Sequence, residues 1–315
     1  MDLIYLIGGL LILISGGELL VRGAVRIAYK LHISTLVVGM TIVSFGTSAP
    51  ELLVSIEAAN SGHPQFAIGN VIGSNIANIA LILGIAAIIF PIRVDKNSLR
   101  VDWPMMMAST VLVYLFMLRS NSIVYWQGII MIALLLLFSY LIIWKSRSEN
   151  RKVARKKVKK ATIKSYAMDV ALIVLGSLGL SMGSNILVTG ATGIAAEFGI
   201  SDFVISVTII AFGTSLPELI TALVAAVRRQ ADISVGNLIG SNIFNLLGIL
   251  GASSLVSEIP IGNTILFNDM IWMIGVSFLI LPFMISGRRI NRLEGLVLLL
   301  VYLAYMFMIY QQNLK

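Results

Sequence analysis

The sequence predicts an all-α polytopic membrane protein, with ten transmembrane helices built as two five-helix repeats of inverted topology. Three observations predict it. Of 315 residues, 58% are hydrophobic and only 12% charged, and mean hydropathy is +0.95. That is about half the charge of an ordinary soluble domain, too little to clothe a water-facing surface. Ten apolar stretches fall near 3–22, 34–59, 67–91, 103–118, 124–144, 167–188, 203–227, 233–256, 267–286 and 291–310, each close to the ~20 residues that span a bilayer. Finally, the second half repeats the first at a constant offset of 167 residues.

The first stretch has no basic region before it and no small-residue cleavage site after it, so it reads as a membrane helix and not a signal peptide. The net charge of +8 follows topology. Ten basic residues crowd into 145–164, and placing that run in the cytoplasm puts all but Arg119 and Lys315 of the 23 Lys and Arg on the same side. That distribution predicts both termini outside. There is no cysteine, hence no disulfide and no thiolate metal site. The expected units are 1–144, a first five-helix repeat; 145–165, a basic cytoplasmic linker; and 166–315, the second repeat. Five is an odd number, so the halves insert upside down relative to one another. Such repeats build many secondary transporters, with the site at the repeat interface near the midplane.

The first span of each half carries glycines every seven residues: Gly9, Gly16 and Gly23, then Gly176, Gly183 and Gly190. Small residues let backbones approach closely in lipid. They serve either fixed packing or a seam along which the helix slides.

The second span of each half carries the costly chemistry. Gly46-Thr47-Ser48-Ala49-Pro50-Glu51 and Gly213-Thr214-Ser215-Leu216-Pro217-Glu218 agree at five of six positions. Each proline removes a helical N–H and frees the carbonyl four residues before it, so a broken helix is expected at both. Freed carbonyls are tolerated at membrane depth only inside protein or along a polar cavity. Glu51 and Glu218 are the acids of this region, and no Lys or Arg lies deep in a span to pair with them. They are either protonated or neutralised by a cation. Two carboxylates balance one divalent ion. Carboxylate, hydroxyl, carbonyl and amide oxygens without His or Cys suit hard cations such as Ca²⁺, Na⁺ or Mg²⁺, and a broken-helix site suits the variable geometry of Ca²⁺ better than the octahedron of Mg²⁺.

The third span supplies Gly69-Asn70-Val71-Ile72-Gly73-Ser74-Asn75-Ile76-Ala77-Asn78, matched at eight of ten positions by the segment from Gly236 to Asn245. On a helix Asn70, Ser74 and Asn78 form one polar stripe, as do Asn237, Ser241 and Asn245. Alone, such stripes serve as interhelical hydrogen bonds; facing two broken helices with acids, they become candidate ion ligands. Of the other acids, Glu18 lies one turn from Arg22 and reads as paired, and Glu57 as a solvated helix end. His32 and His63 fall in loops on opposite sides and make no metal pair. No nucleophile–base pair or phosphate loop appears, so an enzyme is not expected.

The duplicated Gly-Thr-Ser-x-Pro-Glu and Gly-Asn-x-Ile-Gly-Ser-Asn-x-x-Asn motifs resemble the two α-repeats of the sodium/calcium exchanger family, over almost the whole chain. The resemblance implies alternating access in which the first and sixth helices slide against the rest. It implies ligands at Thr47, Ser48, Glu51, Ser74 and Asn78, and at Ala211 (backbone carbonyl), Thr214, Ser215, Glu218 and Ser241. One departure stands out: the last motif position of the second half is an acid in several exchangers of the family, and here it is Asn245. The resemblance then implies exchange of about three Na⁺ for one Ca²⁺ without K⁺, and the short linker implies no cytosolic Ca²⁺-sensing domain. The alternatives are H⁺/Ca²⁺ exchange on the same scaffold and a Ca²⁺-permeable channel. The expected location is the cell membrane, with Ca²⁺ and Na⁺ as transported substrates, lipid as partner, no nucleic acid, no cofactor, and a monomer.

Overall fold

The computed structural model describes residues 1–153, 162–199 and 211–313. Helix α1 is Asp2–Leu31, α2 Thr35–Asn60, α3 Gln65–Ile89, α4 Ser98–Ser120, α5 Tyr125–Val153 and α6 Ile163–Glu197. Helix α7 comes in two pieces, Ala211–Thr214 and Leu216–Val227. Helices α8, Ala231–Val256, α9, Ile265–Ile285, and α10, Arg292–Asn313, complete the chain. Among the described residues nine helices are long and apolar enough to cross a membrane, and Leu216–Val227 is a tenth, shorter apolar helix. Residues 203–210 of the expected 203–227 span lie outside the described residues. Helix α5 runs nine residues into the basic 145–164 segment, because Lys and Arg are good helix formers once the chain leaves lipid.

Capping marks where several helices begin and end. Ser34 accepts from the Val37 N–H at 3.3 Å to start α2, and Asn291 and Glu294 exchange main-chain to side-chain bonds of 2.7 and 3.0 Å to start α10. His32 ends α1 in the left-handed region.

The 167-residue offset holds well beyond the motifs. The π-helical turns Ala77–Ile82 and Ser98–Asp102 recur as Phe244–Ile249 and Ile265–Asp269. Four two-residue strands, β1 Ile92–Arg93, β2 Ser122–Ile123, β3 Ile259–Pro260 and β4 Arg289–Ile290, pair crosswise. Ile92 pairs Ile290 at one end of the bundle, and Ile123 pairs Ile259 at the other. Moving each first-half residue forward and each second-half residue back by the offset turns either pair into the other, which is the signature of a pseudo-two-fold axis relating inverted halves. The end carrying β1 and β4 also carries Arg22, Arg26, Arg228 and Arg229, and is called the basic end below.

The centre belongs to the Gly-Asn helices. Of the most apolar stretch, 94% is buried in α8 and 78% in α3, against 28% in α5 and 17% in α10. Helices α1 and α6, 30 and 35 residues long, pack antiparallel through the predicted glycines. A Cβ on Gly16 would lie 2.7 Å from the Leu180 nitrogen, and one on Gly176 would lie 2.5 Å from that of Leu20. No side chain fits between two backbones this close, so the glycines serve the contact between α1 and α6. At the basic end Lys30 closes this pair, donating to the Ser165 carbonyl at 2.8 Å and hydroxyl at 2.6 Å and pairing with buried Asp169.

One expectation is corrected here. Only the second proline motif interrupts its helix. Ser215, at φ −93° and ψ 1°, separates the two pieces of α7, whereas the helix from Ser44 to Asn60 runs through Pro50. A proline forfeits one helical bond at about 3 kcal/mol. In α2 the packing against α3, α6 and α8, with a π turn at Gly39–Val43 immediately upstream, holds the backbone helical despite that loss.

Candidate cation site

The proline motifs and the Gly-Asn helices converge in the middle of the bundle. Thr47, Ser48, Glu51, Ser74 and Asn78 from the first half are buried there, with Ser215, Glu218, Ser241 and Asn245 from the second. Thr214 is half-buried and lines a cavity. Ala211 opens the first piece of α7, and the residues before it lie outside the described ones. The two acids are electrostatic neighbours, and among the described residues neither forms an ion pair; the pairs present involve Glu18 and Asp169.

Hydrogen bonds stitch the halves across this point. The Ser48 hydroxyl donates to Glu218 Oε1 at 2.9 Å. Thr47 donates to Asn237 Oδ1 at 3.2 Å. The Gly213 carbonyl accepts from the hydroxyl of Ser184 on α6, so the broken turn of α7 is held by the neighbouring long helix. That partner is invisible to motif reading, because Ser184 matches Gly17 across the repeat.

The polar atoms left over define the chemistry. Buried side-chain atoms without a partner include Glu51 Oε2, Glu218 Oε2, Asn78 Oδ1, Asn245 Oδ1 and Ser241 Oγ. All five belong to the residues expected as ligands, and all are oxygens. A buried polar atom without a partner costs about 1–3 kcal/mol, and a charged one more. Two carboxylate oxygens and three neutral ones, on elements that pack against one another, are the donor types a hard cation takes.

A cavity of about 320 Å³ is lined by Glu51, Asn70, Asn185, Gly213 and Thr214 among others, and does not touch Glu218. A second, of about 640 Å³, shares Leu53, Val54 and Phe66 with it and reaches Glu57, Ser61 and His63. Together they connect Glu51 to the end opposite the basic one. Exposed Glu57 accepts from Ser61 at 3.4 Å, the solvated helix end expected of it. At the basic end Glu18 takes a bidentate pair with Arg228, one bond at 2.9 Å, besides its expected partner Arg22.

A model of the family described as "Sodium/calcium exchanger protein" matches residues 1–144 and 168–311. The chain belongs to the sodium/calcium exchanger family. This exchanger is 35% identical over 313 residues to a putative antiporter, CaxA, of Alkalimonas amylolytica, with 98% of each chain covered. It is 31% identical to the sodium/calcium exchanger MaX1 of Methanosarcina acetivorans, again with 98% of each covered. A solved structure of the sodium-calcium exchanger NCX_Mj, soaked with Na⁺ and no Ca²⁺, superposes with a TM-score of 0.82 at 32% identity, covering 96% of this chain and 97% of that one. The exchanger therefore shares a polytopic membrane fold with a protein of that name.

Proposed function

We propose that this exchanger moves Na⁺ and Ca²⁺ in opposite directions across the cell membrane by alternating access. Glu51 and Glu218 supply the charge of a single central site. Thr47, Ser48, Ser74, Asn78, Thr214, Ser215, Ser241, Asn245 and the Ala211 carbonyl complete its oxygen shell. The observation that carries this reading is the set of five unpartnered buried oxygens, two of them on the acids Glu51 and Glu218 and three on Asn78, Asn245 and Ser241. The units are 1–144 and 166–315, joined by a cytoplasmic 145–165 linker, with both termini outside, because the basic residues gather at one end. The cavity to Glu51 then faces outward. Two formal charges balance one Ca²⁺ or two Na⁺, so a third Na⁺ rests on neutral oxygens and exchange of about three Na⁺ per Ca²⁺ is electrogenic. The glycine contacts bind α1 to α6 backbone to backbone, so any sliding moves the two as a unit.

The test is ⁴⁵Ca²⁺ uptake into proteoliposomes driven by outward Na⁺ gradients, with and without K⁺ and pH gradients. Uptake that follows Na⁺ alone, with a reversal potential set by three Na⁺ per Ca²⁺, supports the proposal. Uptake driven by a pH gradient without Na⁺ supports H⁺/Ca²⁺ exchange instead, and flux with no counter-ion supports a channel.

A further inference from the structure

Four asparagines form a closed hydrogen-bonded set across the repeat interface. The Asn75 amide nitrogen donates to the main-chain carbonyl of Asn242 at 3.3 Å, and the Asn242 amide nitrogen donates to that of Asn75 at 3.3 Å. The Asn78 amide nitrogen donates to Asn242 Oδ1 at 3.0 Å, and that of Asn245 to Asn75 Oδ1 at 3.1 Å. Each bond maps onto its counterpart under the 167-residue offset. All four side chains are buried.

A primary amide has one acceptor and one donor end, and the local partners decide which way it points. Here two groups have no choice. The main-chain carbonyls of Asn75 and Asn242 only accept, so the amide nitrogens of Asn242 and Asn75 must face them. That turns Asn75 Oδ1 and Asn242 Oδ1 outward as acceptors, and these can be met only by the amide nitrogens of Asn245 and Asn78. Flipping Asn245 would set two acceptors 3.1 Å apart. The chain of constraint therefore ends with Asn78 Oδ1 and Asn245 Oδ1 turned away from the set, buried and without a protein partner. Asn78 sits on the π turn that packs against the Glu218 piece of α7, and Asn245 on the turn that packs against the Glu51 segment of α2.

We propose that Asn75 and Asn242 are positioning residues: each fixes the amide polarity of one asparagine of the opposite half, so that the carbonyl oxygens of Asn245 and Asn78 face the transported cation. Asn75 governs Asn245, and Asn242 governs Asn78. This rests on the Glu51–Glu218 centre being the cation site. Freed of its acceptor, an amide no longer has its carbonyl held toward the ion, and ordering it there on binding costs affinity. Losing the group that orients a metal ligand typically costs on the order of 10–100-fold in affinity.

The experiment is equilibrium ⁴⁵Ca²⁺ binding to the purified full chain in detergent, for Asn75→Leu, Asn242→Leu, Asn78→Leu and Asn245→Leu and for their pairwise combinations. Size-exclusion elution and ion-free melting temperature report folding. Asn75→Leu alone is expected to weaken binding roughly tenfold or more. Added to Asn245→Leu it should cost nothing further, since no amide is left to orient, while added to Asn78→Leu its effect should multiply. The mirror pattern, Asn242 coupled to Asn78 and independent of Asn245, carries the same test if Asn75→Leu does not fold. Effects that multiply in both pairings overturn the proposal and leave the site standing. Unchanged binding in Asn78→Leu, Asn245→Leu and Glu218→Gln alike overturns the site, and the proposal with it.

Discussion

Glu218→Gln separates binding from folding, because the two should move in opposite directions. Glu218 is buried, accepts from Ser48 at Oε1 and is bare at Oε2, with Glu51 as its acidic neighbour. Removing one member of a buried charge pair costs about 3–5 kcal/mol. At ~1.4 kcal/mol per decade that is on the order of 10²- to 10³-fold in Ca²⁺ affinity. A doubly charged ion loses twice the Coulomb energy of a singly charged one, so Na⁺ binding should suffer less and selectivity should swing toward Na⁺. Without ions the sign reverses. Without a cation Glu218 must be either charged beside Glu51 or protonated in a buried site; the glutamine removes that cost, and each kcal/mol gained raises the melting temperature by about 2 °C in a chain of this size. The assay pairs ⁴⁵Ca²⁺ binding with melting curves in the presence and absence of Ca²⁺. The expected result is an ion-free form at least as stable as the parent that has lost its Ca²⁺-induced shift. Retained Ca²⁺ affinity would refute the central site. A sharply lowered ion-free melting temperature would make the carboxylate a structural group.

Three further substitutions probe the surroundings. Asn245→Asp places a carboxyl oxygen where an amide N–H now donates to Asn75 at 3.1 Å, so the acid keeps that bond only while protonated; the ratio of Ca²⁺ to Na⁺ binding should become pH-dependent, and a flat profile counts against a ligand role. Gly176→Val drives a side chain into the Leu20 backbone, where even a Cβ would stand 2.5 Å from the nitrogen; melting temperature and flux should both fall, while Gly8→Ala, in open space, should change neither. Arg228→Gln leaves Glu18 with Arg22 alone; an exposed pair is worth about 0–1 kcal/mol, so apparent affinity for Ca²⁺ added from the cavity side should shift by roughly fivefold at most.

Helix number and repeat were legible because lipid imposes them: span length and an odd span count per half leave few topologies. The acids were legible because an unpaired buried carboxylate is too costly to be incidental. Other features were hidden, each for a physical reason. Pro50 and Pro217 are identical in local sequence, yet only the Ser215 turn opens, since the helix at Pro50 is held by its neighbours. Asn75 and Asn242 lie off the i, i+4, i+8 stripe and so escaped notice, although their repetition within the duplicated motif was the available signal. Ser184 carried no signal at all, because a cap on a distant carbonyl depends on packing.

Repeat-related residues here occupy different environments, and the differences share one direction. Asn70 is half-buried, lines the cavity and donates to Ser55 at 3.1 Å, whereas its counterpart Asn237 is buried against Thr47. Glu51 lines the cavity, while Glu218 is held by Ser48. Under the proposed alternating access, two inverted halves that exchanged these environments would give the same bundle with its cavity at the basic end, reaching Glu218. The exchange is not quite neutral. Here Glu18 pairs with Arg228 at the basic end; the repeat counterparts of those residues are Asn185 and Ser61, which offer the other end no ion pair. The bias is bounded by the worth of an exposed pair, about 1 kcal/mol. A cation that binds the two states with even tenfold different affinity, about 1.4 kcal/mol, exceeds that bias and sets which end is open.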